Sequence, residues 1–354
     1  MESRRIERVD EIPLVLYWLN RMRIAEIIDA LLPRAHGNHQ GLSYGQLSVL
    51  FLCYIIHLRT HKLSLMEDWA RQHQYVLEQH LGYELGDKEA TDDRLADLLD
   101  TLGASPERTS ALNQSFAGHV ISAFELPTDV ARYDTTSFNV HHAPGATKDA
   151  AGGLLKFGYS KDHRPDLLQF KQGLGMLSSS GVPIFSETIA GNNSDDPLYV
   201  PAWRNMAAAI GHPAFLYVAD SKGAALETRA TIAREGGRYL FPLPMTGEVP
   251  GILAKTVLDP QRDFLALLWH TYSDGTTRSV AKGFEFSQTM NFFAEDSFQW
   301  QERWLVTQSH AHAQGQRESL EKRLLKAEAE LGQLQTKIFK DSEKLKGKAD
   351  AICQ

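Results

Sequence analysis

Along the first 126 residues, apolar side chains recur at helical intervals. From Pro13 onward, Leu14, Leu16, Trp18 and Leu19 are followed by Ile24, Ile27, Ile28, Leu31 and Leu32. Ser43 with Gln46 three residues on forms a capping box, which opens an apolar helix running through Leu58. That helix is apolar nearly all round, so it belongs at the centre of its domain. Ser64 with Glu67 reads as a second capping box, and Leu65, Trp69, Val76 and Leu77 continue the period. Thr91 is placed to cap a third helix carrying Leu95, Leu98, Leu99 and Leu102. Ser105 followed by Pro106 starts a fourth, with Leu112, Phe116, Val120, Ile121 and Phe124. Leu126-Pro127 closes this all-α part.

Beyond it the pattern becomes strand-like. The run Asp129 to Val140 (D-V-A-R-Y-D-T-T-S-F-N-V) carries Asp134 in its middle. An aspartate is disfavoured inside a strand, because its side chain competes for backbone hydrogen bonds and resists burial. Two readings stand: a turn or edge position, or a metal ligand held on a rigid element. A second run, Phe215 to Asp220, also ends in a carboxylate and is followed by Ser221-Lys222-Gly223. Two strands each delivering an aspartate make a two-metal pattern. Between them, Leu168 to Met176 and Val182 to Ile189 flank Ser178-Ser179-Ser180-Gly181, which predicts an antiparallel hairpin. Leu198 to Ile210 is helical, as is Ala224 to Arg234, and Arg238 to Leu243 is a further strand. Strand, hairpin, helix, strand, helix, strand is the start of a ribonuclease-H-like fold. In that mixed sheet the first and fourth strands are neighbours, which would bring Asp134 beside Asp220.

Other charged clusters have two readings each. Arg59, His61 and Lys62 form a solvated loop or touch phosphate. Adjacent residues of a strand point to opposite faces, so at most one of His141 and His142 could ligate with Asp134. The string Gly158 to Asp166 (G-Y-S-K-D-H-R-P-D) is a turn with solvated ion pairs, or a loop with Lys161, His163 and Arg164 facing phosphates. Lys222 is a surface lysine or a DNA contact.

After Leu243, short β-like pieces at Phe264 to Trp269, Thr277 to Val280 and Trp304 to Thr307 predict a mostly β insertion. From Leu320, the residues Leu320, Leu324, Ala327, Leu331, Leu334 and Ile338 follow steps of four and three, an a/d seam about three heptads long. That seam either docks on its own domain or makes a homodimer. The expected domains are therefore 1–126, helical; 127–245, the sheet carrying Asp134 and Asp220; 246–310, the β-rich insertion; and 311–354, an amphipathic heptad helix. The fold class is mixed α and β.

Composition narrows the picture. At 354 residues there is room for two domains with substantial cores. A net charge of −7 gives no global support for nucleic-acid binding, which then rests on local basic patches. Cys53 and Cys353 cannot build a disulfide framework or a cysteine-rich zinc site, which suits a reducing cytoplasm. The polar start M-E-S-R-R-I-E-R-V-D lacks a signal-peptide core, and the longest apolar run, Val49 to Ile56, is too short to span a bilayer. The expectation is a cytoplasmic protein with no membrane partner.

D-T-T-S-F, G-Y-S-K-D-H-R-P-D, the G-N-N-S-D turn and Y-V-A-D-S-K-G together resemble the DDE transposases of bacterial insertion sequences, in the group with a mostly β insertion after the second acidic residue. Gly41-Leu42-Ser43-Tyr44-Gly45-Gln46 also looks like the helical domain that precedes the catalytic domain in that group. The resemblance implies phosphoryl transfer on DNA, with transposon ends and target as partners and two Mg²⁺ (or Mn²⁺) ions about 3.5–4 Å apart. It implies that Asp134 bridges the two ions and that Asp220 binds one. The family's third acid, a glutamate in a Tyr, Arg, Glu, Lys pattern, has no match after Trp304. The chain is thus expected to lack that C-terminal portion and to be inactive alone. The alternative is a non-enzymatic DNA-end-binding regulator derived from a transposase.

Overall fold

The computed structural model describes residues 6–33, 41–141, 153–159, 163–293, 297–335 and 342–353. The chain forms two compact units, Met1–Pro244 and Met245–Gln354.

The first unit begins with seven helices among the described residues: α1 (Ile12–Arg21), α2 (Ile24–Leu31), α3 (Tyr44–Leu58), α4 (Met66–Gln72), α5 (Gln74–Leu81), α6 (Asp92–Leu102) and α7 (Pro106–Ala123). As its all-round apolar pattern predicts, α3 lies in the core, with Leu47, Leu50, Cys53 and Tyr54 wholly buried. Burial pushes the Cys53 thiol up to about 12, so it behaves as a small apolar side chain. Among the described residues no single helix is long and apolar enough to cross a membrane.

The start of α3 explains the G-L-S-Y-G-Q string. The Gln46 N–H donates to Ser43 Oγ (3.1 Å) and the Ser43 N–H donates to Gln46 Oε1 (2.9 Å), a complete capping box. Asp29 of α2 accepts from the Gly45 N–H (2.7 Å) and from the Ser43 hydroxyl (2.6 Å), adding a carboxylate at the positive end of the helix. Gly45 is where the two helices touch, since a Cβ there would lie 2.1 Å from the Ala25 carbonyl oxygen. Gly45→Ala is therefore expected to push α2 off α3 and to destabilise the unit by about 1–3 kcal/mol, read as a lowered urea midpoint by circular dichroism.

Ser105 also caps as predicted, accepting from the Arg108 N–H ahead of α7. Two expected caps are corrected. Ser64 lies inside a short 3-10 turn, Leu63–Leu65, and α4 begins after it with no side-chain cap. Glu67 is taken instead by Arg71 one turn on, at 2.6 Å. The helix read through Val76 and Leu77 breaks at His73 into α4 and α5. Thr91 precedes α6, but its hydroxyl bonds the Lys88 carbonyl rather than the helix.

The sheet follows: β1 (Val130–Val140), β2 (Leu168–Leu177), β3 (Pro183–Ala190), α8 (Tyr199–Ile210), β4 (Leu216–Val218), α9 (Leu226–Arg234) and β5 (Arg238–Leu240). Its order is β3-β2-β1-β4-β5, with β1 antiparallel to β2 and parallel to β4. This is the ribonuclease-H-like arrangement, and the predicted hairpin is β2–β3. The strands β1 and β2 bury alternate residues: Ala131, Tyr133 and Thr135 face a core with Leu177, while Arg132, Asp134 and Thr136 face outward. The buried face is covered by α7 and α8, with Trp203, Met206 and Tyr199 of α8 in contact with the same core as Tyr133 and Phe185.

The second unit contains α10 (Val249–Val257), an antiparallel sheet β6 (Leu265–Thr271), β7 (Thr277–Phe293) and β8 (Ser297–Ser309), then α11 (His310–Gln335) and α12 (Ser342–Cys353). The β-like pieces are present, but β7 and β8 are longer than their apolar stretches. All of β8 pairs with β7 from Ala281 to Phe293, so polar residues such as Gln288 and Gln301 are carried by the ladder. The helix α10 lies within the stretch 246–310 expected to be mostly β, where no helix was expected. The heptad seam lies on α11: Leu334 is buried, whereas Leu320 and Leu324 are each more than half exposed. Ile338 lies outside the described residues. The seam is thus covered only towards its C-terminal end.

Candidate active site

Asp134 lies within β1, the middle strand of five, and so is neither in a turn nor at a sheet edge. The parallel register pairs Val130 with Leu216, Ala131 with Tyr217 and Arg132 with Val218. Two residues past the last pair on either strand stand Asp134 and Asp220. Asp134 is exposed on β1, and Asp220, just past the end of β4, is exposed at the start of a short 3-10 turn; neighbouring strands run about 4.8 Å apart. The strand β4 ends at Val218, while β1 continues to Val140 beside β2 alone. Asp134 therefore lies just past the last β1–β4 pair, and Asp220 just past the C-terminal end of β4.

Each carboxylate is held by short-range bonds. Asp134 Oδ1 accepts from the Thr135 N–H (2.8 Å). Asp220 Oδ1 accepts from the Lys222 N–H (3.1 Å), capping a short 3-10 turn, and from the Tyr199 hydroxyl (2.5 Å). Tyr199 is 1% exposed, and its ring meets that of Tyr133 edge-on at 5.6 Å. Burial, then the bond to Asp220 and the charges of Asp220, Asp195 and Asp134, push its hydroxyl well above the ordinary tyrosine range. Tyr199 therefore stays a neutral donor.

Beside this pair stands a charged group that spacing along the chain does not foretell. Lys171 on β2 sits on the inward face and donates to Asp195 Oδ1 and to the Asn193 carbonyl, each at 2.7 Å. The Lys222 ammonium donates to the other oxygen of Asp195. Burial alone would raise the Asp195 carboxyl, but the two lysines outweigh it and hold it below the usual carboxylate range. Lys222 is thus neither a free surface lysine nor a bare cation, because Asp195 claims it. The one legible signal was Lys171, a lysine on the buried side of the alternating run L-Q-F-K-Q-G-L-G-M-L. Asp195 was visible only as part of the G-N-N-S-D turn, and nothing local marked Tyr199.

The remaining expected residues separate. Lys161 and His142 lie outside the described residues. His163 is exposed in a left-handed backbone conformation (φ 57°), and Arg164 spends its guanidinium on Asp166 at 2.7 and 2.8 Å. That bond draws the Asp166 carboxyl down to about 2. The described residues 163–166 form a turn with their own ion pair. Among the described residues, one trio of Asp, Glu, His or Cys side chains brings its donor atoms within 4.8 Å of one another, and it is Asp10, His57 and His73. Among the described residues, no third such group joins Asp134 and Asp220 at that spacing.

Residues 4–114 match the model of the domain of unknown function DUF4277. This match covers the helices up to the middle of α7. No curated protein is significantly similar to the chain. Among solved structures, the chain is similar to "Mos1 transposase paired-end complex with left transposon end" at 11% identity, over 65% of this chain and 75% of that one, with a TM-score of 0.22. It is likewise similar to "Crystal structure of a pre-cleavage Mos1 transpososome" at 10% identity, over 73% and 87%, with a TM-score of 0.22. Scores of this size do not establish a common fold. The ribonuclease-H-like assignment rests on the strand order and register.

Proposed function

We propose that this chain is a transposase-type protein acting on DNA, with Asp134 and Asp220 as the carboxylates of a divalent-metal phosphoryl-transfer site. The observation that supports this reading is the β1–β4 register, whose last pair, Arg132 with Val218, stands two residues before Asp134 on β1 and two before Asp220 beyond the end of β4. The donor set fits Mg²⁺ or Mn²⁺, which favour hard oxygen ligands and complete their shell with phosphate. The described hydrogen bonds to either aspartate fall on Oδ1, leaving Oδ2 of each for a cation. A pair of such ions would activate an attacking hydroxyl and stabilise the leaving oxygen. The resemblance to insertion-sequence transposases supplies the substrate, DNA ends and target. The helical domain would contribute DNA contacts and the heptad helix would pair two copies.

A second reading, a DNA-end-binding regulator without catalysis, is favoured by one observation. A two-metal site of this class needs a third ligand, and one further carboxylate of this region, Asp195, is ion-paired with Lys171 and Lys222.

The test is cleavage of supercoiled plasmid in Mg²⁺ or Mn²⁺ by the full chain and by Asp134→Ala and Asp220→Ala. Loss of even an outer-shell partner of a metal ligand costs about 10–100-fold, so loss of a ligand is expected to lower nicking by about 100-fold or more. Nicking that persists in both variants would sink the catalytic assignment. Absence of nicking in the parent chain, with retained DNA binding, would establish the regulator.

A further inference from the structure

We propose that Asp10, His57 and His73 form a Zn²⁺ site that pins the segment ahead of α1 onto α3 and the α4–α5 junction. One donor atom from each residue lies within 4.8 Å of the other two. The three come from separate elements: Asp10 precedes α1, His57 is in the last turn of α3, and His73 joins α4 to α5.

The two imidazoles are prepared for a metal. His73 is 8% exposed, and its Nδ1 faces the Trp69 carbonyl oxygen at 2.9 Å. A carbonyl only accepts, so Nδ1 carries the proton and Nε2 is left with its lone pair. A backbone carbonyl orienting a histidine through its far nitrogen is the ordinary outer support of a metal ligand. His57 Nδ1 is buried without a hydrogen-bond partner, an arrangement that costs free energy unless something fills it. The two rings lie 5.3 Å apart between centroids.

Asp10 is delivered to them by its own segment. Glu7 accepts from the Tyr75 and Val76 N–H groups at 3.2 and 3.1 Å, fastening the chain to the N-terminus of α5. Asp10 holds a left-handed backbone (φ 42°), uncommon outside glycine, and its carboxylate meets Arg8 at 3.2 Å.

Two imidazoles and a carboxylate select a borderline transition ion over Mg²⁺ or Ca²⁺, which want oxygen. Tetrahedral Zn²⁺ takes such a trio with water in the fourth position, its donor atoms about 3.3 Å apart. Binding would draw the three donors, which lie within 4.8 Å of one another, closer together. The site is distinct from Asp134 and Asp220, and it stands whether or not the chain cleaves DNA.

The test uses the full chain, stripped with a chelator and titrated with Zn²⁺ and separately with Co²⁺. One equivalent of Zn²⁺ is expected to bind. At about 100 times Kd it should raise the melting temperature of the helical domain by about 5–10 °C. Co²⁺ should give the visible absorption of a tetrahedral nitrogen–oxygen site. Asp10→Asn, an exposed and conservative change, should keep the circular dichroism spectrum and weaken Zn²⁺ binding about 100-fold. His73→Gln should abolish the Co²⁺ band. The double variant Asp134→Asn/Asp220→Asn should bind Zn²⁺ as the parent does. Parent chain that takes up no stoichiometric Zn²⁺, or an Asp10→Asn protein with unchanged affinity and Co²⁺ spectrum, would overturn the site.

Discussion

Asp195→Ala is expected to destabilise the sheet-bearing unit by about 3–5 kcal/mol, as removal of one partner from a buried ion pair does. The side chain of Asp195 is 2% exposed and that of Lys171 11%, so the variant strands an ammonium where water reaches poorly. The Asn193 carbonyl still accepts from Lys171, which favours the lower end of the range. Lys222, about half exposed, can turn to solvent and adds little. The same pair makes stability depend on pH. The Asp195 carboxyl lies below its unfolded value of about 3.9. Its contribution is therefore fully present above that value and is lost as pH falls through the folded one. Urea midpoints of the parent chain should fall below about pH 4 more steeply than those of Asp195→Asn. A parent and variant with parallel pH profiles would show that the two lysines do not hold this carboxylate. Because Lys222 belongs to the same turn that Asp220 caps, the variant should also weaken divalent-ion binding at the Asp134–Asp220 pair.

Trp203→Ala should cost about as much, roughly 3–5 kcal/mol, for a different reason. The indole is 1% exposed and lies in the core shared by Tyr133, Tyr199 and Met206. Gly237 lies against it so closely that a Cβ there would come 2.5 Å from Trp203 Cζ2. Such a site has no slack to refill the cavity. The indole nitrogen is buried without a hydrogen-bond partner, so Trp203→Phe removes an unsatisfied donor along with part of the ring. The phenylalanine variant should lose clearly less stability than the alanine one by chemical denaturation. Equal losses would mean that the size of the cavity does not set the cost.

Much of this chain is readable from local physics. The caps at Ser43 and Ser105, the β2–β3 hairpin and the strand–helix order depend on neighbours a few residues away, and the structure has them where the pattern predicts. Asp134 and Asp220 stood out because a carboxylate ending or interrupting a strand is locally anomalous. Where local signals competed, one of them lost: Glu67 went to Arg71 instead of a cap, and polar residues of β7 and β8 were recruited by a partner strand.

What tertiary structure alone decided is which distant groups meet. That β1 lies beside β4, so that Asp134 and Asp220 follow its last pair by two residues each, comes from the β1–β4 register, which no residue along either strand specifies. The donor to Asp220 is a tyrosine from the start of α8, and the partners of Asp195 come from β2 and from the turn after β4. Asp10, His57 and His73 converge because helices pack, although nothing in their spacing announces a site. A sequence displays the cost of a misplaced polar residue, since that cost is local. It does not display the partner that removes the cost, because the partner is set by packing across the core.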